Sequence, residues 1–113
     1  MTAAVLADDG LDVVFRALGD PTRRAMLRLL ATGDRTVGEL AAPFAMTFAG
    51  ASKHVKVLEG AGLVRRTVHG RSHVCRLDAA PLADADAWLR FYAVFWDRRI
   101  DALEERLRQE AGE

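Results

Sequence analysis

The fold is decided by residues 47–77, which read TFAGASKHVKVLEGAGLVRRTVHGRSHVCRL. Within them, residues 52–76 carry six basic side chains and one acidic side chain, a net charge of +5 in a chain whose overall net charge is zero. Gly60, Gly62 and Gly70 divide the stretch into pieces the size of one helix and two strands. A neutral chain that collects its cations on one such unit is expected to present a face to a polyanion.

The first part of this stretch predicts a helix. Thr47 has the side chain of an N-cap, and residues 48–59 follow with the apolar spacing of an amphipathic helix before two glycines end it. The residues expected to face inward are Ala51, Val55 and Leu58. Small and basic side chains are then left on the outer side of the helix.

The second part predicts a β-hairpin. Residues 63–68 and 73–77 alternate between apolar and polar types and are rich in β-branched side chains. Residues 69–72 supply the turn between these two strands. The first strand carries two arginines and the turn carries Arg71, so the hairpin is expected to present cations to the same polyanion.

Three shorter amphipathic helices are predicted upstream. Residues 11–18 carry an apolar stripe, and Asp20 and Pro21 suit the N-cap and first turn of a second helix. Thr36 and Glu39 form a capping-box pattern, which predicts the start of a short third helix.

From Leu82 the apolar spacing is helical again and continues almost to the end of the chain. A single helix of about 28 residues would be roughly 42 Å long, whereas a compact chain of this length has a radius of gyration of roughly 13 Å. Such a helix must overhang its own domain and leave an apolar stripe uncovered, which a second copy is expected to cover together with the first helix. The expected dimer-interface residues are Val14, Phe15, Leu18, Trp88, Leu89, Tyr92, Phe95, Trp96, Ile100 and Leu103.

Length and composition indicate one domain. The chain has 113 residues, half of them hydrophobic, so a core is expected over residues 11–110 after a flexible tail at residues 1–10. Cys75 is the only cysteine, which excludes a disulfide within the chain and fits a reducing compartment. The first residues lack the basic segment of a signal peptide, and no apolar run reaches the roughly 18–20 residues that cross a bilayer. A cytoplasmic protein without a membrane partner is expected.

The predicted fold is mainly α, with four helices, a β-hairpin and a long C-terminal dimerisation helix. Two helices joined by a short turn and followed by a basic hairpin describe a winged helix-turn-helix. Its second helix enters the major groove of double-stranded DNA, and its hairpin, or wing, contacts the backbone or the minor groove. We therefore expect helix 47–59 and wing 63–77 to bind DNA. The residues expected to contact it are Thr47, Phe48, Gly50, Ala51, Ser52, Lys53, His54, Lys56, Arg65, Arg66 and Arg71.

Other kinds of site have less support. His69, His73 and Cys75 lie close together in the hairpin, but a structural zinc site needs four ligands, so no metal is expected. No phosphate loop, nucleophile motif or converging pair of carboxylates is found, so neither catalysis nor a cofactor is expected. The aromatic residues Trp88, Tyr92 and Trp96 leave open a site for an unknown small-molecule effector. A winged-helix module that binds proteins and not DNA also remains open, because fold does not fix function.

Several segments resemble the ArsR-type winged-helix transcriptional regulators. They are ALGDPTRRAMLRLL at 17–30, GELAAPFAMT at 38–47, SKHVKVLEGAGLV at 52–64 and GRSHVCRLD at 70–78. The tail WLRFYAVFWDRRIDALEERL at 88–107 is similar to the subset that does not sense metals and includes the autorepressor of a sporulation-delay operon. The resemblance covers residues 11–108.

The resemblance implies a homodimer that binds a pseudo-palindromic operator and represses its own or an adjacent operon until a signal relieves it. By position, it implies a recognition helix at Thr47–Lys56, a wing at Arg65–Arg76 and a dimer interface on the first and last helices. Metal sensors of the family carry a cysteine pattern in the helix at Glu39–Phe44, where this chain has no cysteine. Residues 48–51 also depart from the usual polar, proline and β-branched pattern, which implies an unusual operator sequence.

Overall fold

The helices and strands follow the predicted order. The computed structural model describes residues 9–112, in which six α-helices and three strands are found. The helices are α1 (Asp9–Leu18), α2 (Pro21–Ala31), α3 (Val37–Ala41), α4 (Phe48–Gly60), α5 (Ala80–Arg90) and α6 (Ala93–Glu110). The strands are β1 (Arg35–Thr36), β2 (Val64–His69) and β3 (Ser72–Leu77). Of the expected flexible tail, residues 1–8 lie outside the described residues, and Asp9 and Gly10 belong to α1.

Helices α2 and α3 begin where capping chemistry predicts. The Oδ2 atom of Asp20 accepts a hydrogen bond from the backbone N–H of Arg23 at 3.0 Å, and this bond is the main cause that lowers the pKa of Asp20. At the start of α3, the N–H of Glu39 donates to Oγ1 of Thr36 at 3.1 Å. The N–H of Thr36 donates in turn to Oε1 of Glu39 at 2.9 Å. The predicted capping box is therefore confirmed.

The core lies between the first four helices and the inner face of the sheet. The predicted inward residues of α4, Ala51, Val55 and Leu58, are confirmed, because each is 0% exposed. Cys75 is also fully buried, as an apolar residue would be, and burial raises the pKa of its thiol. The largest fully buried side chains are Met26, Val37, Leu40, Val55, Leu58, Leu63 and Cys75.

The sheet has three antiparallel strands in the order β1-β3-β2. Strands β2 and β3 confirm the predicted hairpin to within one residue at each end. Strand β1 was not predicted: Arg35 pairs with Cys75 and Thr36 pairs with Val74. A strand of two residues has no period that a sequence could reveal, so only its pairing with β3 defines it.

The hairpin turn consists of Gly70 and Arg71, since His69 pairs with Ser72. Gly70 has a φ of +62°, which suits the first central position of a type II′ turn and is unfavourable for residues that carry a side chain. This narrow turn leaves Arg71 exposed at the tip of the wing.

The prediction of one continuous C-terminal helix is wrong, because the chain turns between α5 and α6. The N–H of Phe91 donates to the carbonyl of Trp88 at 3.3 Å, and the N–H of Tyr92 donates to the carbonyl of Leu89 at 2.9 Å. These bonds span three residues and replace the four-residue bonds of an α-helix. Neither Pro nor Gly lies at this position, so no breaker residue was available to predict the turn.

Aromatic packing accompanies the turn between α5 and α6. The ring centroid of Tyr92 lies 5.0 Å from that of Trp88, 4.8 Å from that of Phe91 and 6.4 Å from that of Phe95. Edge and tilted contacts of this kind are favourable at such distances. The turn brings four aromatic residues into one cluster, which offers a physical reason for the interruption.

The predicted overhang of the C-terminal segment is confirmed. Within α6, no side chain is buried. The radius of gyration is 19.1 Å, with extents of 65 × 42 × 20 Å, whereas a compact chain of this length would have roughly 13 Å. None of the described helices is both long and apolar enough to cross a membrane.

We expect Thr36→Ala to lower the free energy of unfolding by about 1 kcal/mol, because the N–H of Glu39 loses its acceptor at the start of α3. Urea denaturation at pH 7 measures the change. Glu39→Gln is the matched variant: its amide oxygen still accepts from the N–H of Thr36, so its loss should be smaller. Unchanged stability in Thr36→Ala would contradict the capping role.

The capping box should also make stability depend on pH. The bond from the N–H of Thr36 is the first cause that lowers the pKa of Glu39 below its ordinary value of 4.5. A lowered carboxyl pKa means stabilisation that is present above the unfolded value and lost as the pH falls through the folded value. Because Gln cannot titrate, the advantage of the wild type over Glu39→Gln should disappear below pH 4.5 in acid denaturation series. A constant difference would count against this origin.

Candidate nucleic-acid interface

The helix-turn-helix consists of α3, a turn and α4. The turn contains a 3-10 segment at Ala42–Phe44, which accommodates Pro43, and it ends at Ala45 with a left-handed φ of +51°. Thr47 then begins α4, since its Oγ1 accepts from the N–H of Gly50 at 3.0 Å. A left-handed alanine is unfavourable by roughly 1 kcal/mol or more, so the packing of the two helices must impose this turn.

We call the exposed side of α4 its outer face. It consists of Phe48, Ala49, Ser52, Lys53 and Lys56, of which Ser52 is only partly exposed. Phe48 is 60% exposed, so its ring is available to a partner instead of filling the core. Ala49 is a member that the sequence analysis missed, and its helical spacing from Ser52 and Lys53 was the available signal.

Two small residues that were predicted to contact DNA have internal roles. Ala51 is a correction: its side chain is 0% exposed and faces the core, so it does not belong to the outer face. Gly50 lies against the helix cap, where an added Cβ would come within 3.3 Å of Oγ1 of Thr47. The close approach of Thr47 at the start of α4 therefore explains why a residue without a side chain suits position 50. A contact between Gly50 and DNA stays a prediction.

His54 joins α4 to α2. Its Nδ1 lies 3.4 Å from Nη1 of Arg23 and 3.9 Å from Oδ2 of Asp20. Arg23 is itself fixed, because its Nε donates to the carbonyl of Ala17 at 2.7 Å and its Nη2 donates to the carbonyl of Arg16 at 3.0 Å. This placement gives His54 a role within the fold, and its predicted contact with DNA stays a prediction.

Arg66 is a second correction among the predicted DNA contacts. It pairs with Cys75 across the hairpin and lies on the inner face of the sheet, where its side chain is 15% exposed. Its Nη2 donates to Oε1 of Glu59 at 2.6 Å, and its Nη1 lies 3.4 Å from Nδ1 of His73. Arg66 therefore joins the wing to the last turn of α4 instead of pointing to solvent.

The outer face of the wing carries two arginines side by side. Arg65 pairs with Arg76 across the hairpin, and two aspartates balance these like charges. Oδ2 of Asp78 lies 3.0 Å from Nε of Arg65, and Oδ2 of Asp34 lies 3.1 Å from Nη2 of Arg76. The N–H of Ala80, and then Arg65, lower the pKa of Asp78. Both arginines are more than 70% exposed, so these ion pairs are weak and a phosphate can replace the carboxylates.

Three cations of the basic segment are exposed and form no ion pair with the described residues: Lys53, Lys56 and Arg71. The other three are Arg65, Arg66 and Arg76, each of which has an acidic partner. The area of unbalanced positive charge is therefore smaller than the six basic residues of the segment would suggest. It is concentrated on the outer face of α4 and at the wing tip.

The candidate metal ligands of the hairpin do not come together. Cys75 is buried, His73 contacts Arg66, and Nε2 of His69 lies 3.3 Å from Oγ1 of Thr67. Within residues 9–112, no group of three His, Cys, Asp or Glu side chains is arranged to hold a metal ion.

The predicted dimer-interface residues form an exposed apolar surface, with one correction. Val14 is only 3% exposed and belongs to the core of its own chain, while Phe15 and Leu18 are partly buried against that core. The ring of Phe15 meets that of Trp88 edge to face at 5.6 Å, which connects α1 to α5. Seven predicted residues are 37–62% exposed: Trp88, Leu89, Tyr92, Phe95, Trp96, Ile100 and Leu103. Phe91, Val94 and Leu107 are also exposed on this segment, although they are not among the expected interface residues.

Comparison with known proteins gives consistent matches. A helix-turn-helix domain family matches residues 18–67. The transcriptional repressor SdpR of Bacillus subtilis is 34% identical over 76 residues, which are 67% of this chain and 84% of SdpR. An ArsR-like transcriptional regulator from Rhodococcus sp. RHA1 has 30% identity and a TM-score of 0.72, covering 96% of this chain and 98% of that chain.

A further solved structure is the homodimeric winged helix-turn-helix DNA-binding domain Mb0332 of Mycobacterium bovis, described as a possible ArsR-family regulator. It has 31% identity and a TM-score of 0.63, covering 80% of this chain and 82% of that chain. These proteins are regulators of transcription and not enzymes. With its helix-turn-helix, its three-stranded wing sheet and these relatives, the chain belongs to the ArsR-type family of winged helix-turn-helix transcriptional regulators.

Proposed function

We propose that this chain acts in the cytoplasm as a homodimer that represses its own or an adjacent operon by binding a pseudo-palindromic operator. The observation that carries the proposal is the outer face of α4, where Lys53 and Lys56 are exposed and have no acidic partner among the described residues. The similarity to SdpR, a repressor, supports the direction of control, and the similarity to Mb0332, a homodimeric domain, supports the assembly.

Sequence readout is assigned to the first two turns of α4. Ala49 and Ser52 are small, so the helix can come close to the floor of a major groove. Phe48 presents an exposed ring that suits the methyl group of a thymine. The hydroxyl of Thr47 accepts from the backbone of its own helix, which leaves its proton for a phosphate or a base.

Affinity for the DNA backbone is assigned to the free cations. No ion pair with the described residues has to be broken before a phosphate can bind to Lys53, Lys56 or Arg71. Arg65 and Arg76 can exchange an exposed aspartate for a phosphate at little cost. In a two-fold dimer, the two α4 helices would enter successive major grooves about 34 Å apart.

A second copy of the chain is proposed to cover the apolar surface of α1, α5 and α6. The alternative occupant, a small-molecule effector, would have two grooves beside Trp88. One is about 420 Å³ and is lined by Gly10, Leu11, Val14, Ala61, Pro81, Asp84, Ala87 and Trp88. The more apolar one is about 390 Å³ and is lined by Leu11, Asp12, Phe15 and Trp88. Asp12 is the one charged group among these four, whereas ligand sites usually have several converging polar groups. We therefore propose that the signal that relieves repression is not a small molecule bound in this groove.

A mobility-shift assay with a DNA fragment from the chain's own promoter tests the function. We expect a shifted complex that resists excess unrelated DNA and is competed by the unlabelled fragment. If the folded dimer binds no DNA at low salt, the alternative of a winged-helix module that binds only proteins becomes the better description.

Lys56→Ala and Arg71→Ala should each weaken binding to all DNA sequences by about tenfold at moderate salt, because the dimer loses two phosphate contacts. The slope of log affinity against log salt should become shallower by about 2 for the same reason. Fluorescence anisotropy titrations at several salt concentrations measure both quantities.

Two variants control this experiment. Arg108→Ala removes an exposed cation of α6 that pairs with Glu105, and it should leave DNA affinity unchanged. Arg66→Met should lower stability while the salt slope of the folded dimer is kept, because Arg66 binds Glu59. Salt slopes of Lys56→Ala and Arg71→Ala equal to that of the wild type would refute the assignment of phosphate contacts.

Trp96→Glu should convert the dimer into monomers, because it places a charge in the middle of the surface that the second copy covers. Trp96 is 44% exposed in one chain, so its replacement should not disturb the core. Sedimentation velocity measures the assembly, and Ala102→Glu, an exposed position off the apolar stripe of α6, is the matched control. A normal dimer of Trp96→Glu would show that the interface lies elsewhere.

A further inference from the structure

A further groove lies beside α2, away from the two grooves at Trp88. Its volume is about 280 Å³, and α1, α2, β3 and α5 all contribute to its lining. Two of its lining residues are arginines of α2, and the other five are apolar: Leu18, Leu27, Ala31, Leu77 and Leu82. We call this site the α2 groove. It combines an apolar surface with positive charge.

The apolar surface of the α2 groove is continuous with the core. Leu27 is only 8% exposed, while Leu18, Leu77 and Leu82 are partly buried and pack against the core. Because these side chains come from four different elements that the core holds together, the shape of the groove does not depend on a ligand. Preformed apolar surface of this kind is typical of small-molecule sites.

The positive charge comes from Arg24 and Arg28. They lie one helical turn apart on the exposed side of α2, and neither forms an ion pair with the described residues. Helix α2 contains no acidic residue that could offset them. Like charges four residues apart destabilise a helix, so an anion bound between the two guanidinium groups would remove a repulsion.

The guanidinium of Arg24 is held beside the groove. Its Nη1 donates to the carbonyl of Leu18 at 2.7 Å, and Leu18 itself lines the groove. One bond of this kind leaves the other N–H donors of the guanidinium for a ligand. Arg23 is used differently, because it lies on another side of α2 and contacts His54. Arg24 and Arg28 are thus the arginines of α2 that a ligand in the groove can reach.

The α2 groove is separate from both surfaces of the proposed function. None of its lining residues belongs to the basic segment at residues 52–76. Leu82 precedes Trp88 by six residues, which is about 9 Å along α5, so the groove lies beyond the exposed aromatic cluster. Leu18 is the one lining residue that was also expected at the dimer interface.

We propose that the α2 groove binds a small amphipathic anion, with a carboxylate between Arg24 and Arg28 and a short apolar chain against the leucines. The planar fork of a guanidinium matches the two oxygens of a carboxylate, and the leucines remove the chain from water. Pockets for drug-sized ligands have volumes of roughly 300–1,000 Å³, so a groove of about 280 Å³ suits a short chain.

Calorimetric titration of the full chain with octanoate at low salt and pH 7 tests this site. We expect saturable binding of one octanoate per chain, about tenfold tighter than hexanoate because two more methylene groups are buried. Octanol, which has the same chain without the charge, should bind at least about tenfold more weakly. The proposal is wrong if octanoate shows no saturable binding below its micelle concentration, or if octanol binds equally well.

Arg28→Gln should weaken octanoate binding about tenfold, because the carboxylate loses a charged donor. Arg98→Gln is the matched control: it makes the same charge change at an exposed position of α6 that forms no ion pair with the described residues. Its effect should be no more than about twofold, since remote exposed charges are screened. Equal effects of the two variants would contradict a specific role of Arg28.

A second pair of variants locates the apolar chain. Ala31 and Ala87 are both exposed helical residues, so a larger side chain at either position should not disturb the core. Ala31→Phe fills the α2 groove and should remove measurable octanoate binding, whereas Ala87→Phe fills a groove beside Trp88 and should leave binding unchanged. The reverse pattern would place the ligand beside Trp88 and overturn the assignment.

Nuclear Overhauser effects give a direct check in the wild-type chain. The methyl groups of Leu27, Leu77 and Leu82 should show contacts with the octanoate chain, while those of Ile100 and Leu103 on α6 should show none. Contacts only with α6 would mean that octanoate binds the exposed apolar surface and not the α2 groove.

Sedimentation velocity distinguishes a small ligand from a second copy of the chain. If the anion occupies the groove, the assembly should be the same with and without saturating octanoate. Dissociation into monomers would show that a second copy covers the groove and would reject the proposal. Because octanoate binding is measured without DNA, its failure would leave the proposed function standing, and a failure of the chain to bind DNA would leave this site standing.

Discussion

The burial of the inner side of α4 is the constraint on which the rest of the structure depends. Ala51, Val55 and Leu58 are fully enclosed by the core, which fixes the rotation of the helix about its own axis. The opposite side must then face solvent, and it carries Phe48, Ser52 and the two lysines. Apolar packing of one side thus determines which side chains of α4 are exposed and available to a partner.

The basic segment serves two purposes, and the structure separates them. Arg66 and Glu59 hold the wing against the last turn of α4, so one of the six cations contributes to architecture. Arg65 and Arg76 lie side by side and are balanced by Asp78 and Asp34, which reduces the repulsion between the two like charges. The remaining cations form no ion pair with the described residues, and they are exposed to solvent.

Local patterns were enough to predict much of this fold. Helix starts at Asp20, Thr36 and Thr47 follow from the hydrogen-bonding capacity of one side chain, and the hairpin follows from alternation around Gly70. What escaped prediction depends on distant partners. The two residues of β1 are a strand only because β3 lies beside them, and the ion pair of Asp34 with Arg76 joins positions 42 residues apart. The turn at Phe91–Tyr92 escaped prediction for a different reason: the aromatic rings that pack there are close neighbours in sequence, but no breaker residue marks the position.

The seclusion of Cys75 has a consequence for signalling by oxidants. Peroxides react with the thiolate form of cysteine, and both the complete burial of Cys75 and the raised pKa of its thiol keep that form scarce and out of reach. Sulfenic acid formation would first require β3 to separate from the helices that cover it. Oxidation of Cys75 is therefore not a signal to which this chain can respond while it stays folded.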